Sequence, residues 1–407
     1  MIRWIVDGKL GTAAADGVTP DTDTVFVDAR TLVDKRGNSA SSLLAQIEAG
    51  VAALSKNKRT VVVCDFGVSR SNTIAAGILA VWRNIDIDAA IAEVLEKTGE
   101  TSIKLDMIET LRETLGRKPA SGEKRSGILI TGGAGFLGAA LRDRLAESHD
   151  VYAPGREAMD LLGPVVLLDR FCREHNVGKI IHLAYPRVYT NNEAMGQSLT
   201  MLRNVLDVCK SRGIHLVLPS GSVVFSGYRT SFMAADTSAP AHAKGVYGET
   251  KFLEETLVRN AVANDELTAT IVRLSPIYGA KSLRPRLIRY AYQYLAENRV
   301  IQTHRYRNGL PLLQLLYLTD AVAGLAEVVK NGRSSLYHLG GAKAYEPRDI
   351  IARIGQIVGR SPQIEEVEID DDAANIFLDS GATSLELKWQ PAIDLDEGLR
   401  HTLENQR

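Results

Sequence analysis

Cys64 and Arg70 fall in the stretch CDFGVSRS, which follows the apolar run TVVV and leads straight into NTIAAGILAVW. A strand ending in a loop that wraps onto a helix N-terminus turns successive backbone N–H groups inward, and the helix dipole strengthens this anion cradle. The same field favours the thiolate, the form in which cysteine attacks. Arg70 brings a two-pronged guanidinium suited to phosphate oxygens, and Gly67 allows a turn that a β-carbon obstructs. Asp65 sets a negative charge beside the cradle, which disfavours polyanionic ligands.

A second group begins at Ile128. The run ILITGGAGFLG is a strand turning through glycines into the helix AALRDRLAES. In a βαβ setting this pattern cradles a dinucleotide: Gly132 makes the turn, Gly135 admits the pyrophosphate to the backbone, and Gly138 lets helix and strand pack closely. Phe136 and Leu137, at the helix start, belong to the same binding set. The next strand, HDVYAPGR, ends without the acidic residue that holds a ribose 2′-hydroxyl; it offers Arg156 instead, which favours NADP, with NAD as the alternative. Asp160 stands where an acidic contact to adenine would lie, and the strand ending at His182 brings Leu183 and Ala184 to the groove wall. Downstream, YGETK places Tyr247 and Lys251 on one helix face. There the ammonium stabilises negative charge on the phenol and binds the nicotinamide ribose, leaving a tyrosine able to exchange a proton with an alcohol or ketone.

These residues need a scaffold. Thr24–Val27 and Thr60–Val63 read as buried strands, while Ser41–Leu54, Ser71–Trp82 and Ile87–Glu96 carry helical periodicity, which makes residues 1–117 a small α/β domain. Residues 118–126 are polar, basic and rich in Gly, Ser and Pro, the composition of a connector. In 127–407, strands and amphipathic helices alternate as far as Arg273, the pattern of right-handed βαβ units on a doubly wound parallel sheet; beyond Ser275 a less regular tail is expected to form a substrate lid. The 407 residues carry 48 basic and 49 acidic side chains, a net charge of −1, so neither nucleic acid nor an acidic membrane surface is an expected partner. Cys64, Cys172 and Cys209 form no CxxC pair and imply no metal site or disulfide framework. No leader-like or spanning apolar run is present, and a soluble cytoplasmic protein is expected.

The Cys-x5-Arg-Ser stretch resembles the signature loop of the dual-specificity, cysteine-dependent phosphatases, and WIVDGKLGTAAA is similar to that family's opening strand. The resemblance covers residues 1–115 or so. It implies that Cys64 attacks phosphorus, that Arg70 holds the equatorial oxygens and that the Ser71 hydroxyl assists release of the thiolate. It also calls for a general acid from an upstream loop, for which Asp34 in TLVDKRGNS is the candidate, ahead of Asp28. Val63 departs from the family, which has a histidine there.

From Gly127 onward the chain resembles the extended short-chain dehydrogenase/reductase family of nucleotide-sugar epimerases and reductases. The resemblance rests on TGGAGFLG, the Tyr247/Lys251 pair, VRLSPIYGA, YLTDAVAGL and YHLGG, in that order. Its third catalytic residue is a Ser or Thr at the end of the strand before the tyrosine helix. In LPSGSVVFSG, Gly221 takes that position, flanked by Ser220 and Ser222; Ser222 is preferred, with Ser220 second. No carboxylate follows it, which argues against dehydration, and Leu313 stands where many relatives carry an arginine for the nucleotide pyrophosphate.

The leading expectation is a bifunctional enzyme: a cysteine-dependent phosphomonoesterase joined to an NADP-dependent reductase or epimerase of a sugar or nucleotide sugar. A single oxidoreductase with a phosphate-binding N-terminal module, or a phosphatase under an NADP-sensing domain, are the alternatives. The expected partner is a small, sugar-like, phosphorylated substrate, and a homodimer is compatible with this reading.

Overall fold

The computed structural model describes all residues except 20, 102, 117–125, 281–285 and 405–407. Of the expected connector, residues 118–125 therefore lie outside the described residues. The chain divides into two compact units: Met1–Arg125 with Arg156–Val177 and Asp207–Arg212, and Ser126–Gly155 with Gly178–Leu206 and Gly213–Arg407.

In the first unit, β1 (Arg3–Val6) and β2 (Leu10–Ala14) pair antiparallel, and β3 (Thr24–Asp28) and β4 (Arg59–Cys64) run parallel to β2 in the order β1-β2-β4-β3. The Val61-Val62-Val63 run of β4 is buried on both faces, as a central parallel strand requires. Its helices include α1 (Ala40–Ser55), α2 (Arg70–Arg83), α3 (Ile87–Thr98) and α4 (Leu105–Thr114), together with the helix Val165–Glu174. Ser39 caps α1, its hydroxyl accepting from the Ser42 N–H at 3.1 Å, and Asp86 caps α3 in the same way. α2 begins after the loop 65–69 and is buried from Ser71 to Ala80, so it is the helix the sheet and its neighbours enclose.

The second unit is built on a parallel sheet of β5 (Gly127–Thr131), β6 (Val151–Tyr152), β7 (Val177–His182), β8 (His215–Gly221) and the strands Ala269–Leu274 and Leu336–Leu339. Across the sheet the order is Leu336–Leu339, Ala269–Leu274, β8, β7, β5, β6. β5 thus has β6 on one side and β7 on the other, and ligands of such sheets bind in the crevice beyond the strand ends at this reversal. Helix α5 (Phe136–Ala146) begins there. Ile128, Ile130, Leu141, Ile181, Val217 and Val272 pack together beneath it. The expected irregular tail folds around a core of its own, with Tyr278, Ile288, Leu295, Ile350, Ile354 and Leu399 buried together. No helix among the described residues is long and apolar enough to cross a membrane.

Candidate active site

The glycine turn after β5 fits a dinucleotide by exclusion of side chains. Gly132 has φ +70°, and a β-carbon on it would lie 2.7 Å from the backbone nitrogen of Ala184 and from the carbonyl carbon of Leu183. One on Gly138 would stand 2.3 Å from the Gly132 carbonyl oxygen. The turn, the first turn of α5 and the Leu183-Ala184 backbone after β7 therefore approach each other closely. Gly135, the N-cap residue of α5, offers no side-chain cap, and a β-carbon there would meet only the Gly132 oxygen among the described residues. Uncapped N–H groups at a helix start beside open space suit a pyrophosphate. Phe136 and Leu137 are half-buried at that start, Leu137 against the core. Gly138→Ala should destabilise the protein by about 1–3 kcal/mol through overpacking and abolish dinucleotide binding. Thermal melting and a fluorescence titration with NADH check both; unchanged NADH affinity would remove Gly138 from the cradle.

Beneath the turn, Thr131 Oγ1 lies 2.8 Å from His182 Nδ1 and accepts from the Ala184 N–H at 3.2 Å, tying the ends of β5 and β7 together. Burial pushes the His182 ring down to about 4, so it is neutral at physiological pH. Arg156 lies in the segment after β6, mostly exposed, 3.5 Å from the Asp160 carboxylate. Asp160 also accepts from the Leu162 N–H at 3.0 Å, an Asx turn that holds the loop.

Tyr247 and Lys251 occupy one face of the helix Gly245–Ala263. The Tyr247 ring meets those of Tyr185 and Tyr189 edge-on, at centroid separations of 5.4 and 5.1 Å. The Lys251 ammonium sits 4.7 Å from the centre of the Tyr185 ring and donates to Glu254 at 2.8 Å. Burial opposes a charge on Lys251, but the Glu254 carboxylate outweighs it and holds the ammonium above the usual lysine range. Sequence reasoning missed Tyr185, Tyr189 and Glu254. Glu254 was detectable, being two turns from Tyr247 on the same face; the tyrosines lie on a loop that carries no periodic signal.

The two candidate serines occupy different settings. Ser220 is buried at the end of β8, where its hydroxyl bears on the buried Glu255 carboxylate. Ser222 opens the short 3-10 turn Ser222–Phe225 and is half-buried. Gly221 between them is extended, at φ −154°, and a β-carbon there would come no nearer than 3.4 Å to another residue, so the backbone leaves room for a side chain that this chain does not carry.

In the first unit, Cys64 ends β4 and is buried. Its sulfur accepts from the Gly67 N–H at 3.2 Å and lies 3.3 Å from the Ser71 hydroxyl. Burial raises the thiol, but the Ser71 hydroxyl and the N–H groups of Ser71, Val68 and Gly67 prevail and hold it below the usual range. Gly67 has φ +68°, and a β-carbon would fall 2.4 Å from the Ala13 carbonyl carbon, so the loop closes against β2 only with glycine. Asp34, Cys64, Phe66, Val68, Ser69 and Arg70 line a cavity of about 260 Å³. Asp34 accepts from the Ser69 hydroxyl at 2.6 Å and pairs with Lys104 at 3.3 Å. Arg70 differs from the sequence expectation: its guanidinium donates to the Asp65 carboxylate and to the Leu32 carbonyl, so its charge is already partnered within the loop. Near Leu313, Arg305 and Arg307 are likewise paired, with Glu366, Asp370 and Asp372. No group of three potential metal ligands occurs among the described residues.

Comparison with known proteins bears on the second of these sites. UDP-glucuronic acid decarboxylase 1 of Xenopus tropicalis is 24% identical over 81% of this chain and 86% of its own length. UDP-glucose 4-epimerase of Azospirillum brasilense is 25% identical over 67% of this chain and 89% of its own. Among solved structures, UDP-glucose 4-epimerase of Thermus thermophilus in complex with NAD superposes with a TM-score of 0.60, 18% identity, and coverage of 69% of this chain and 98% of that one. The profile of the NAD dependent epimerase/dehydratase family spans residues 128–340, from the first core residue of β5 through the tyrosine helix to the end of the last parallel strand. The match takes in every residue of the dinucleotide crevice and the Tyr247/Lys251 pair, and does not extend to the Cys64 loop. With more than half of its length so matched, the chain belongs to the NAD dependent epimerase/dehydratase family.

Proposed function

We propose that the second unit is a nicotinamide-dependent oxidoreductase or epimerase acting at a carbinol carbon of a nucleotide sugar. The observation that carries this is the placement of Tyr247 and Lys251 on one helix face in a chain whose β5–α5 turn excludes side chains from a pyrophosphate site. The relatives' names, UDP-glucuronic acid decarboxylase and UDP-glucose 4-epimerase, support the substrate class. Gly132, Gly135 and Gly138 would hold the dinucleotide with Leu183 and Ala184, and when bound it supplies a hydride acceptor and donor. Tyr247 carries the substrate's hydroxyl proton, and the Lys251 ammonium offsets negative charge at the phenol oxygen. Incubation with UDP-glucose, UDP-glucuronate and their 4-keto forms, followed by nuclear magnetic resonance of the sugar, tests the reading; no change in any of them would count against the substrate class.

The cofactor is named NAD by the matched family, whereas the stretch HDVYAPGR that contains β6 ends without a carboxylate for a ribose 2′-hydroxyl and presents Arg156, which favours the 2′-phosphate of NADP. Because Arg156 is mostly exposed, its contact with a phosphate is screened, and the preference expected is roughly tenfold. Arg156→Ala should erase it. Calorimetric titration of NADH and NADPH against both proteins measures the ratio, and a wild-type ratio of one would assign the site to NAD.

A second reading concerns the first unit. The lowered Cys64 thiol, ringed by N–H groups and facing Asp34 across a small cavity, supports phosphomonoester hydrolysis through a phosphocysteine. Its products would be an alcohol, protonated by Asp34, and inorganic phosphate released by water. Cys64→Ser should abolish release of phosphate from an activated aryl phosphate. A wild-type protein with reduced Cys64 that releases none would leave this unit with a binding role only.

A further inference from the structure

The tyrosine helix carries a buried acid that the proposed chemistry leaves unused. Glu254 is 1% exposed, and its carboxylate accepts from Lys251 Nζ at 2.8 Å and from the Ser198 hydroxyl at 2.5 Å. Ser198 is itself fully buried on the helix Asn192–Arg212. The other titratable groups that bear on this cluster are the Tyr247 phenol on the same helix, the Tyr185 phenol on the loop after β7 and the His182 ring at the end of β7. His182 is neutral at physiological pH, so the ammonium of Lys251 and the carboxylate of Glu254 are the charges that face each other. An ammonium so enclosed without an anion gives up its proton easily. One beside a hydrogen-bonded carboxylate keeps it.

We propose that Glu254 is a positioning residue of the Tyr247/Lys251 site: held by Ser198, it keeps the Lys251 ammonium charged and fixes one of its donors, leaving the remaining donors for the ribose of a nicotinamide dinucleotide. This rests on the dinucleotide reading above, but not on the identity of the sugar. Glu254→Gln preserves shape and hydrogen bonding and removes the charge. In that variant Lys251 loses its proton to solvent as the pH rises, and with it the charged contact to the ribose.

The experiment is a fluorescence titration of NADH and NADPH into wild type, Glu254→Gln and Ser198→Ala between pH 7 and 9. The affinity of Glu254→Gln, taken relative to wild type at each pH, should fall about tenfold across that interval, and that of Ser198→Ala should fall less but in the same direction. A Glu254→Gln protein whose affinity parallels wild type, or falls by one factor at every pH, overturns the proposal, because a merely structural acid predicts no change with pH. If Glu254→Gln does not fold, a pH-independent Ser198→Ala overturns it equally. Wild-type protein that binds neither dinucleotide at any pH overturns the dinucleotide reading together with this inference.

Discussion

Replacing Tyr247 with Phe should lower turnover of the nucleotide-sugar substrate by about 10²- to 10⁴-fold while leaving the melting temperature nearly unchanged, the loss being that of a general acid–base group. The structure separates the two effects. Packing of Tyr247 comes from edge-on contacts of its ring with Tyr185 and Tyr189, which a phenyl ring repeats. Chemistry comes from the hydroxyl, which a phenyl ring lacks. Lys251 keeps its bond to Glu254 in the variant, so dinucleotide affinity should also be retained. Initial rates with the substrate that wild type converts, a melting curve and an NADH titration make the comparison. A rate within threefold of wild type would mean that another group moves the proton. Ser220, buried at the end of β8, would then be the first candidate.

The elements that place Tyr247 were readable because their signals are local. The β5–α5 turn announces itself through glycines whose β-carbons would strike backbone, as at Gly132 and Gly138, and no side-chain contact is needed to infer it. The helices of the first unit lie within a residue or two of their periodic patterns, since a buried stripe and a capping residue such as Ser39 or Asp86 fix them from within. Long-range partnership left no such mark. α4 was not foreseen, and Asp65 read as a charge beside the cradle, whereas in the fold it is the partner of Arg70. The spacing of Glu254 from Tyr247 marks its face of the helix, but its burial depends on Ser198 from a helix far away in sequence. The choice between Ser220 and Ser222 was open for a different reason: the family resemblance sets Gly221 at the hydroxyl's position, and the serines on either side are directed by the end of β8 and by a 3-10 turn.

The largest stability effect is expected in the first unit, from Arg112→Met. Arg112 on α4 is 3% exposed and donates to Asp88 of α3 at 2.6 Å, to Glu109 at 2.5 Å and to Asp169, of the helix Val165–Glu174, at 2.7 Å. Arg212 also donates to Asp169 and Glu109, at 2.7 and 2.8 Å, and Arg173 pairs with Asp88. Removing the central cation leaves Asp88 with Arg173 and Asp169 with Arg212 among the described residues. Stripping a partner from a buried pair costs about 3–5 kcal/mol, and the lower end applies because Arg173 and Arg212 stay. The effect should depend on pH with a definite sign. Burial raises both aspartates, yet their arginines prevail and hold them below the ordinary value of 3.8. They therefore add stability above that value, lost as the pH falls through their folded-state values. Without Arg112 burial counts for more, both carboxyls take up protons at higher pH, and a protonated carboxyl needs no cation. The deficit of Arg112→Met should accordingly be near 3 kcal/mol at pH 7 and shrink toward pH 4.5. Trp4 and Trp82 lie in this unit and Trp389 in the other, so urea unfolding followed by tryptophan fluorescence in a Trp389→Phe background isolates the transition. A deficit below about 1 kcal/mol at pH 7, or one that is the same at pH 4.5, would show that the six charges do not act as a buried network.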